Sequence, residues 1–190
     1  MLGVCKRLGD NMKRLSLAVL AIAIFTAAPA SAAEVLAGLF AHNVNLGISV
    51  CFYEHGADIQ VGMRSEPFLS LQHFGDLRLY ALSSLNTAGG VDFWAAGLAW
   101  RVHLTDKLYI QPALGAAVQN GDADDFQRRP NHLDLGARIL FEPEFSIGYR
   151  LAPKWALELA YAHLDHARLA GPQNPGMDDA GVRLIYRLGH

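Results

Sequence analysis

Residues 155–163 read Trp-Ala-Leu-Glu-Leu-Ala-Tyr-Ala-His, and residues 182–188 read Val-Arg-Leu-Ile-Tyr-Arg-Leu. Because successive side chains of a β-strand point to opposite faces, the alternation in these stretches indicates two strands that each have one apolar face. The run between them is rich in glycine, proline, asparagine and aspartate, which favour turns. We therefore predict two antiparallel neighbours joined by a loop.

The polar residues of this strand pair are sorted by face. His163 and Asp165 share the parity of Tyr161 and its apolar face, whereas Glu158 has the opposite parity. Asp178 falls on the apolar face of the second strand if that strand extends back to it. We therefore expect His163, Asp165 and Asp178 to meet at one end of the pair, on a face that otherwise carries apolar side chains.

Period-two alternation recurs through the rest of the chain. Six earlier segments show it, at about 35–44, 56–64, 76–86, 91–104, 108–119 and 135–151. In the last of these the phase is unbroken, so Pro143 predicts a bend or a bulge within one long strand. Eight strands joined as a meander predict an all-β, antiparallel up-and-down barrel, because closure removes the exposed edges of a sheet.

The pattern alone is compatible with a soluble barrel, whose apolar face would be inside, and with a membrane barrel, whose apolar face would contact lipid. The other face carries seven charged residues, which suit a filled interior: Arg138, Glu142, Glu144, Arg150, Glu158, Arg183 and Arg187. Aromatic residues near the strand ends, namely Trp94, Tyr149, Trp155 and Tyr186, are typical of membrane interfaces. We therefore predict a transmembrane barrel without an open pore.

The first 32 residues have the features of a cleaved secretory signal peptide. Lys13 and Arg14 precede an apolar run that ends in small residues at about Ser31, so we assign 33–190 to the barrel domain. Removing residues 1–32 takes away four basic residues and one acidic residue and lowers the formal charge from −2 to −5. We expect no nucleic-acid partner, and Cys51 alone cannot form an intrachain disulfide.

Topology predicts where the polar cluster lies. With a periplasmic N-terminus, odd-numbered strands run outward, so the seventh strand carries His163 to the level of the outer leaflet. His163-Leu-Asp-His166 also invites a metal-site interpretation, but on a strand His166 faces away from the other two side chains. We therefore expect no metal ion at this motif and no cofactor.

Three motifs in the last third of the chain resemble the PagL-type outer-membrane lipid A deacylases. They are Phe145-Ser-Ile-Gly-Tyr-Arg150, Tyr161-Ala-His163 and Asn174-Pro-Gly-Met-Asp178-Asp-Ala-Gly-Val-Arg183. The resemblance implies an outer-membrane enzyme that hydrolyses an ester-linked acyl chain of lipid A with a serine, histidine and acidic triad. It also implies lipopolysaccharide as the partner and insertion by the barrel assembly machinery.

The same resemblance assigns candidate roles to five residues. His163 matches the general base, Asp178 matches the acid that orients it, and Asn174 and His166 match positions near the substrate or the oxyanion. Asp165 stands where the family has its nucleophilic serine. A carboxylate has no proton for the histidine to remove and is a poor nucleophile towards an ester.

Two functional hypotheses follow from Asp165. In the first, the protein is an active deacylase in which His163 and Asp165 activate water. In the second, it is a catalytically impaired barrel with a structural or lipid A-binding role.

Overall fold

The computed structural model describes residues 32–44, 54–72, 74–121, 133–171 and 174–188. The expected signal peptide, apart from its last residue, and Cys51 lie outside the described residues. None of the described residues forms a helix of the length and hydrophobicity needed to span a bilayer.

Within the described residues, nine strands form one antiparallel sheet. They are β1 (Ala32–Ala41), β2 (Ala57–Ser65), β3 (Leu69–Leu71), β4 (Gly75–Asn86), β5 (Phe93–His103), β6 (Leu108–Gln119), β7 (Ile139–Ala152), β8 (Trp155–Leu164) and β9 (Met177–Arg187). β1 pairs with both β2 and β9, and β2 pairs with β4, so eight long strands close into a barrel. β3 is a short addition that pairs with β4 beyond the end of β2. The predicted eight-stranded up-and-down barrel is confirmed.

The two ends of the barrel differ in their connections. Short turns join β5 to β6 and β7 to β8, whereas longer segments join β6 to β7 and β8 to β9. We call these the turn end and the loop end. β1 begins at the turn end and β9 ends there. The two strands pair from Glu34 opposite Arg187 to Ala41 opposite Ala180.

The outer wall is apolar and the interior is charged. Leu39, Leu114, Leu159 and Val182 are among the exposed side chains, each about half accessible or more. The interior of the barrel between the turn end and its middle holds three glutamates and four arginines, all buried: Glu34, Glu144, Glu158, Arg64, Arg78, Arg101 and Arg183. The assignment of the apolar face to the outside is therefore confirmed.

The interior charges are paired through short contacts. Arg64 donates two hydrogen bonds to Glu158 at 2.7 and 2.8 Å, and Arg101 donates two to Glu34 at 2.6 and 2.8 Å. Arg183 contacts Glu144 and also lies 3.2 Å from Glu158. Bidentate pairs of this kind satisfy the hydrogen-bonding groups that burial would otherwise leave without water.

The segment before β7 differs from the prediction. We expected the strand to begin at about residue 135, but β7 begins at Ile139. Leu133 and Leu135 instead pack in a buried apolar cluster with Phe93, Leu140 and Met177. Their alternation reflects burial in this cluster rather than a strand. Arg138 is likewise exposed and donates a hydrogen bond to the Gly121 carbonyl, rather than lying in the interior.

Pro143 makes no bulge in the pairing of β6 with β7, because that register is continuous through Leu114 opposite Pro143. Its effect is on the other side of the strand. The pairing of β7 with β8 stops at Glu144 opposite Ala162, and an isolated bridge joins Phe141 to Asp165 in the same register. Pro143 has no N–H to donate at the intervening position.

Candidate active site

The predicted polar cluster forms at the loop end, on the outer wall of β8 and β9. The register sets His163 directly opposite Asp178 and Ala162 opposite Asp179. Because side chains alternate, Asp178 points to the same side as His163 while Asp179 points into the barrel. The side chain of Asp178 is fully buried, and that of His163 is 14% exposed. One edge of the imidazole is therefore accessible, and its carboxylate partner is shielded.

Asp178 orients the imidazole of His163. The His163 Nδ1 to Asp178 Oδ1 distance is 2.5 Å, and the Tyr161 hydroxyl donates to the same oxygen at 2.7 Å. Since an ionised carboxylate only accepts hydrogen bonds, Nδ1 carries the proton in this pair. The lone pair of Nε2 is then available on the opposite edge of the ring, which is the arrangement required of a general base.

Asp165 faces that second nitrogen. Its Oδ2 lies 3.4 Å from His163 Nε2. The position is fixed by the backbone, because Asp165 and Phe141 exchange hydrogen bonds of 2.6 and 3.2 Å. The Asp165 Oδ1 atom accepts a hydrogen bond from the Ala167 amide at 3.1 Å. The carboxylate thus lies next to the imidazole of His163 and also holds the start of the following loop.

Asn174 joins the same loop to the cluster. Its side-chain oxygen accepts from the His166 amide at 3.2 Å, and its amide nitrogen donates to Asp165 Oδ2 at 3.4 Å. His166 is buried, and its Nδ1 accepts from the Ala170 amide at 3.3 Å. Four of the five predicted site residues, His163, Asp165, Asp178 and Asn174, are therefore linked by direct contacts. The imidazole of His166 supports the loop.

An apolar groove adjoins the cluster. It has a volume of about 250 Å³ and is lined by Ala116, Ile139, Leu140, Phe141, His166, Leu169 and Ala170. Phe141 and His166 connect it to the site, because Phe141 pairs with Asp165 and His166 is the next residue. A groove of this composition can hold hydrocarbon beside the exposed edge of His163.

Two residues of the site were not predicted. Gly176 has a φ of +70°, and a Cβ atom there would lie 2.8 Å from His163 Cε1, so only glycine allows the loop to pass this close to the ring. Tyr161 was placed on the correct face but given no role. Its spacing of two residues from His163 was the available signal, because it makes Tyr161 a diagonal cross-strand neighbour of Asp178.

A second cluster of titratable groups lies inside the barrel at the same end. We call His42, Glu54, Asp58 and Asp179 the luminal cluster; all four are buried. Burial by itself lowers the pKa of His42, but hydrogen bonds to Asp58 and Glu54 outweigh that effect and raise the pKa to about 10. Burial raises the pKa of Glu54, but the hydrogen bond between Glu54 and His42 contributes to a net lowering of that pKa. This cluster and the His163 site are separated by the wall formed by β9.

Comparison with known proteins gives one family and several solved structures of similar fold. The sequence model of the family described as lipid A 3-O-deacylase (PagL) matches residues 73–187. The crystal structure of the outer membrane enzyme PagL superimposes with a TM-score of 0.58 at 17% identity, covering 81% of this chain and 99% of that one. No curated protein matches this sequence significantly.

Two further solved structures are similar at lower scores. A de novo designed transmembrane β-barrel gives a TM-score of 0.49 at 12% identity, covering 83% of this chain and 97% of the design. The outer membrane protein Ail of Yersinia pestis gives 0.48 at 8% identity, covering 83% of this chain and 99% of that one.

Proposed function

Because this chain belongs to the lipid A 3-O-deacylase (PagL) family, we propose that it hydrolyses an ester-linked acyl chain of lipid A in the bacterial outer membrane. The observation that carries the proposal is the His163–Asp178 pair, which lies on the outer wall of the barrel rather than in its lumen. A substrate that reaches this wall must itself be embedded in the membrane.

The position of the pair along the barrel supports the same substrate. Outer-membrane barrels have short periplasmic turns and longer extracellular loops, so the loop end lies in the outer leaflet. Lipopolysaccharide occupies that leaflet. The apolar groove next to His163 is suited to an acyl chain, and the exposed edge of the imidazole is suited to the ester at the head of that chain.

We assign His163 the role of general base towards water. Its Nε2 takes a proton from a water molecule, and the resulting hydroxide adds to the acyl carbonyl carbon. The tetrahedral intermediate breaks the bond between that carbon and the sugar oxygen, which receives the proton from Nε2. The products are a fatty acid and a lipid A with one free hydroxyl, and no acyl-enzyme is formed.

The remaining residues position this step. Asp178 holds the Nδ1 proton, keeps the ring in one tautomer and stabilises the imidazolium that forms. Asp165 lies 3.4 Å from Nε2, where its carboxylate can accept a hydrogen bond from the attacking water. The Asn174 side-chain amide has a second hydrogen beyond the one donated to Asp165, and this hydrogen is available to the oxyanion.

Lipid A mass spectrometry tests the proposal. We expect cells that express the wild-type protein to contain lipid A lacking one acyl chain, and cells that express His163→Gln to contain fully acylated lipid A. His103→Gln is the matched control, because His103 also lies close to an aspartate, 3.9 Å from Asp76, but at the turn end. Unchanged acylation in wild-type cells with folded barrel in the outer membrane would contradict hydrolysis.

A second candidate function is a barrel that binds lipid A without hydrolysing it. It is favoured by the contacts of Asp165, whose two carboxylate oxygens both accept hydrogen bonds within the loop, as expected of a structural residue. Asp165→Ser distinguishes the candidates. If only this variant deacylates lipid A, the natural protein is the impaired form; if both do, the water mechanism stands. Insertion by the barrel assembly machinery remains a prediction under either function.

A further inference from the structure

The luminal cluster brings together residues from three segments of the barrel. His42 lies in the turn after β1, Asp58 near the start of β2, and Asp179 near the start of β9. None of these side chains takes part in the proposed hydrolysis. The three offer one imidazole nitrogen and two carboxylate oxygens that all lie within 4.8 Å of one another.

The distances in this group suit a shared cation. His42 Nδ1 lies 3.0 Å from Asp58 Oδ2 and 3.7 Å from Asp179 Oδ1. Ligand atoms that share one Zn²⁺ at bond lengths of 2.0–2.2 Å are themselves about 3 to 4 Å apart. A cation between these atoms therefore needs only small side-chain adjustments.

Glu54 supplies the support that a metal-binding histidine usually has. The other ring nitrogen, His42 Nε2, lies 3.1 Å from Glu54 Oε2. Glu54 is itself fixed by hydrogen bonds from the backbone amides of Val91 at 2.8 Å and Leu133 at 2.9 Å. Carboxylates that accept the second N–H of a ligating imidazole select its tautomer and orient its ring, which leaves Nδ1 directed at Asp58 and Asp179.

The charge balance of the interior points to a missing positive group. Three buried interior glutamates, Glu34, Glu144 and Glu158, each pair with arginine. In contrast, no lysine or arginine among the described residues pairs with Asp58 or Asp179. Within the described part of the chain, both aspartates form their ion-pair contact with His42. One imidazole does not balance the carboxylates around it, and burying unbalanced charge is costly.

An unpartnered atom gives an independent indication. Asp179 is fully buried, and its Oδ2 atom has no hydrogen-bond partner among the described residues. Its Oδ1 atom accepts from the Asn43 amide at 3.0 Å. Buried carboxylate oxygens are normally hydrogen-bonded or coordinated to a metal, so the Asp179 carboxylate has an oxygen that a bound cation would satisfy.

We propose that the luminal cluster binds one divalent cation through His42 Nδ1, Asp58 and Asp179, with Glu54 orienting the imidazole. One nitrogen and two carboxylate oxygens are a donor set that suits Zn²⁺, with water as a fourth ligand. The ion would join β1, β2 and β9, which are the strands through which the first and last parts of the chain close the barrel.

Zinc binding to the purified mature barrel tests the site without any measurement of hydrolysis. The protein in detergent is stripped with a chelator and titrated with Zn²⁺ by calorimetry, and bound metal is counted by elemental analysis. We expect one Zn²⁺ per barrel in the wild type and in His103→Gln. Removing the supporting carboxylate in Glu54→Gln should weaken affinity about 10- to 100-fold, and His42→Gln and Asp179→Asn should weaken it further.

Folding is checked in each variant by the shift in gel mobility on heating, so that loss of the site is separated from loss of the barrel. Bound Co²⁺ gives a second readout, since its visible absorption reports nitrogen and oxygen ligation and should be absent in His42→Gln. Substoichiometric Zn²⁺ in the folded wild type, or equal affinity in wild type and Asp179→Asn, would overturn the proposal. The cluster would then be held by protons shared among its carboxylates.

Discussion

The imidazole of His163 is confined by neighbours on three sides. Asp178 holds Nδ1, Asp165 faces Nε2, and Gly176 passes over Cε1. A ring held in this way has little freedom to leave the orientation in which Nε2 is presented. Small changes in the loop after β8 should therefore alter the orientation of the His163 ring while leaving the fold of the barrel intact.

Gly176→Ala should displace the ring. The added Cβ would lie 2.8 Å from His163 Cε1, whereas Gly171→Ala adds a methyl group with nothing within 4 Å. Both positions have positive φ, so both substitutions carry backbone strain of about 1 kcal/mol. We expect deacylation to fall at least about tenfold only in Gly176→Ala, measured as fatty acid released from lipopolysaccharide. Equal losses in the two variants would show that strain, rather than contact with His163, is responsible.

At the residue scale, parity and motif resemblance predicted His163, Asp165, Asp178 and Asn174 as candidate site residues, and the structure brings these four side chains into contact. Gly176 could not be identified in the same way, because its role depends on how the loop folds back over the ring. The luminal cluster was missed for a related reason. His42 and Asp179 are separated by most of the chain and become neighbours only when β1 pairs with β9.

Two prolines interrupt the sheet in similar ways. Pro143 lies opposite His163, where the pairing of β7 with β8 is broken. Pro112 lies where the pairing of β5 with β6 is broken, between Ala99 opposite Ala113 and Val102 opposite Ile110. Only the first gap is next to the candidate active site. The backbone at His163 is therefore less firmly paired than the rest of β8.

Pro143→Val and Pro112→Val should both stabilise the barrel, because each restores a backbone N–H that can donate across its gap. One net hydrogen bond contributes about 0.5 to 1.5 kcal/mol, which should raise the midpoint of heat unfolding seen by gel mobility. Only Pro143→Val should also change the rate of deacylation. If both variants change that rate equally, the gap at His163 has no specific role.

At the element scale, seven of the eight long strands were predicted to within a few residues, because alternation and turn residues mark their ends. The exception was the start of β7. Alternation there continues through Leu133 and Leu135, which precede the strand and are buried by packing against residues such as Phe93 and Leu140. Sequence periodicity reports burial and cannot by itself distinguish burial within a strand from burial before it.

The whole molecule depends on an apolar outer surface around a charged centre. Leu159 lies midway along β8, between Ile147 on β7 and Val182 on β9, and is 59% exposed. Leu169 is also exposed but belongs to the loop after β8. The two leucines therefore distinguish the lipid-facing wall from the outer loops.

Leu159→Arg should destabilise the barrel by about 2 to 4 kcal/mol, the cost of arginine at the bilayer midplane, whereas Leu169→Arg should change stability by about 1 kcal/mol or less. Urea unfolding in lipid vesicles measures both. Equal stability of the two variants would mean that Leu159 does not face hydrocarbon. This result would contradict the membrane orientation on which the lipid A proposal depends.

The overall architecture was predictable because one rule, alternation with most charges on a single face, applies along the eight long strands. The pairs Arg64–Glu158 and Arg101–Glu34 were not, since each links residues that only barrel closure brings together. Closure of the barrel brings charged residues from distant strands into direct contact across the interior.

Arg183, rather than the adjacent aspartates Asp178 and Asp179, makes the docking of β9 selective for one register. A slip of β9 by one residue would still leave a carboxylate beside His163, since Asp179 would replace Asp178 there. The same slip would turn Arg183 outward into hydrocarbon and separate it from Glu144 and Glu158. A barrel with β9 in the wrong register would therefore keep a carboxylate beside His163 but would expose Arg183 to hydrocarbon. The free energy of burying that charge in lipid favours the correct register of the final strand.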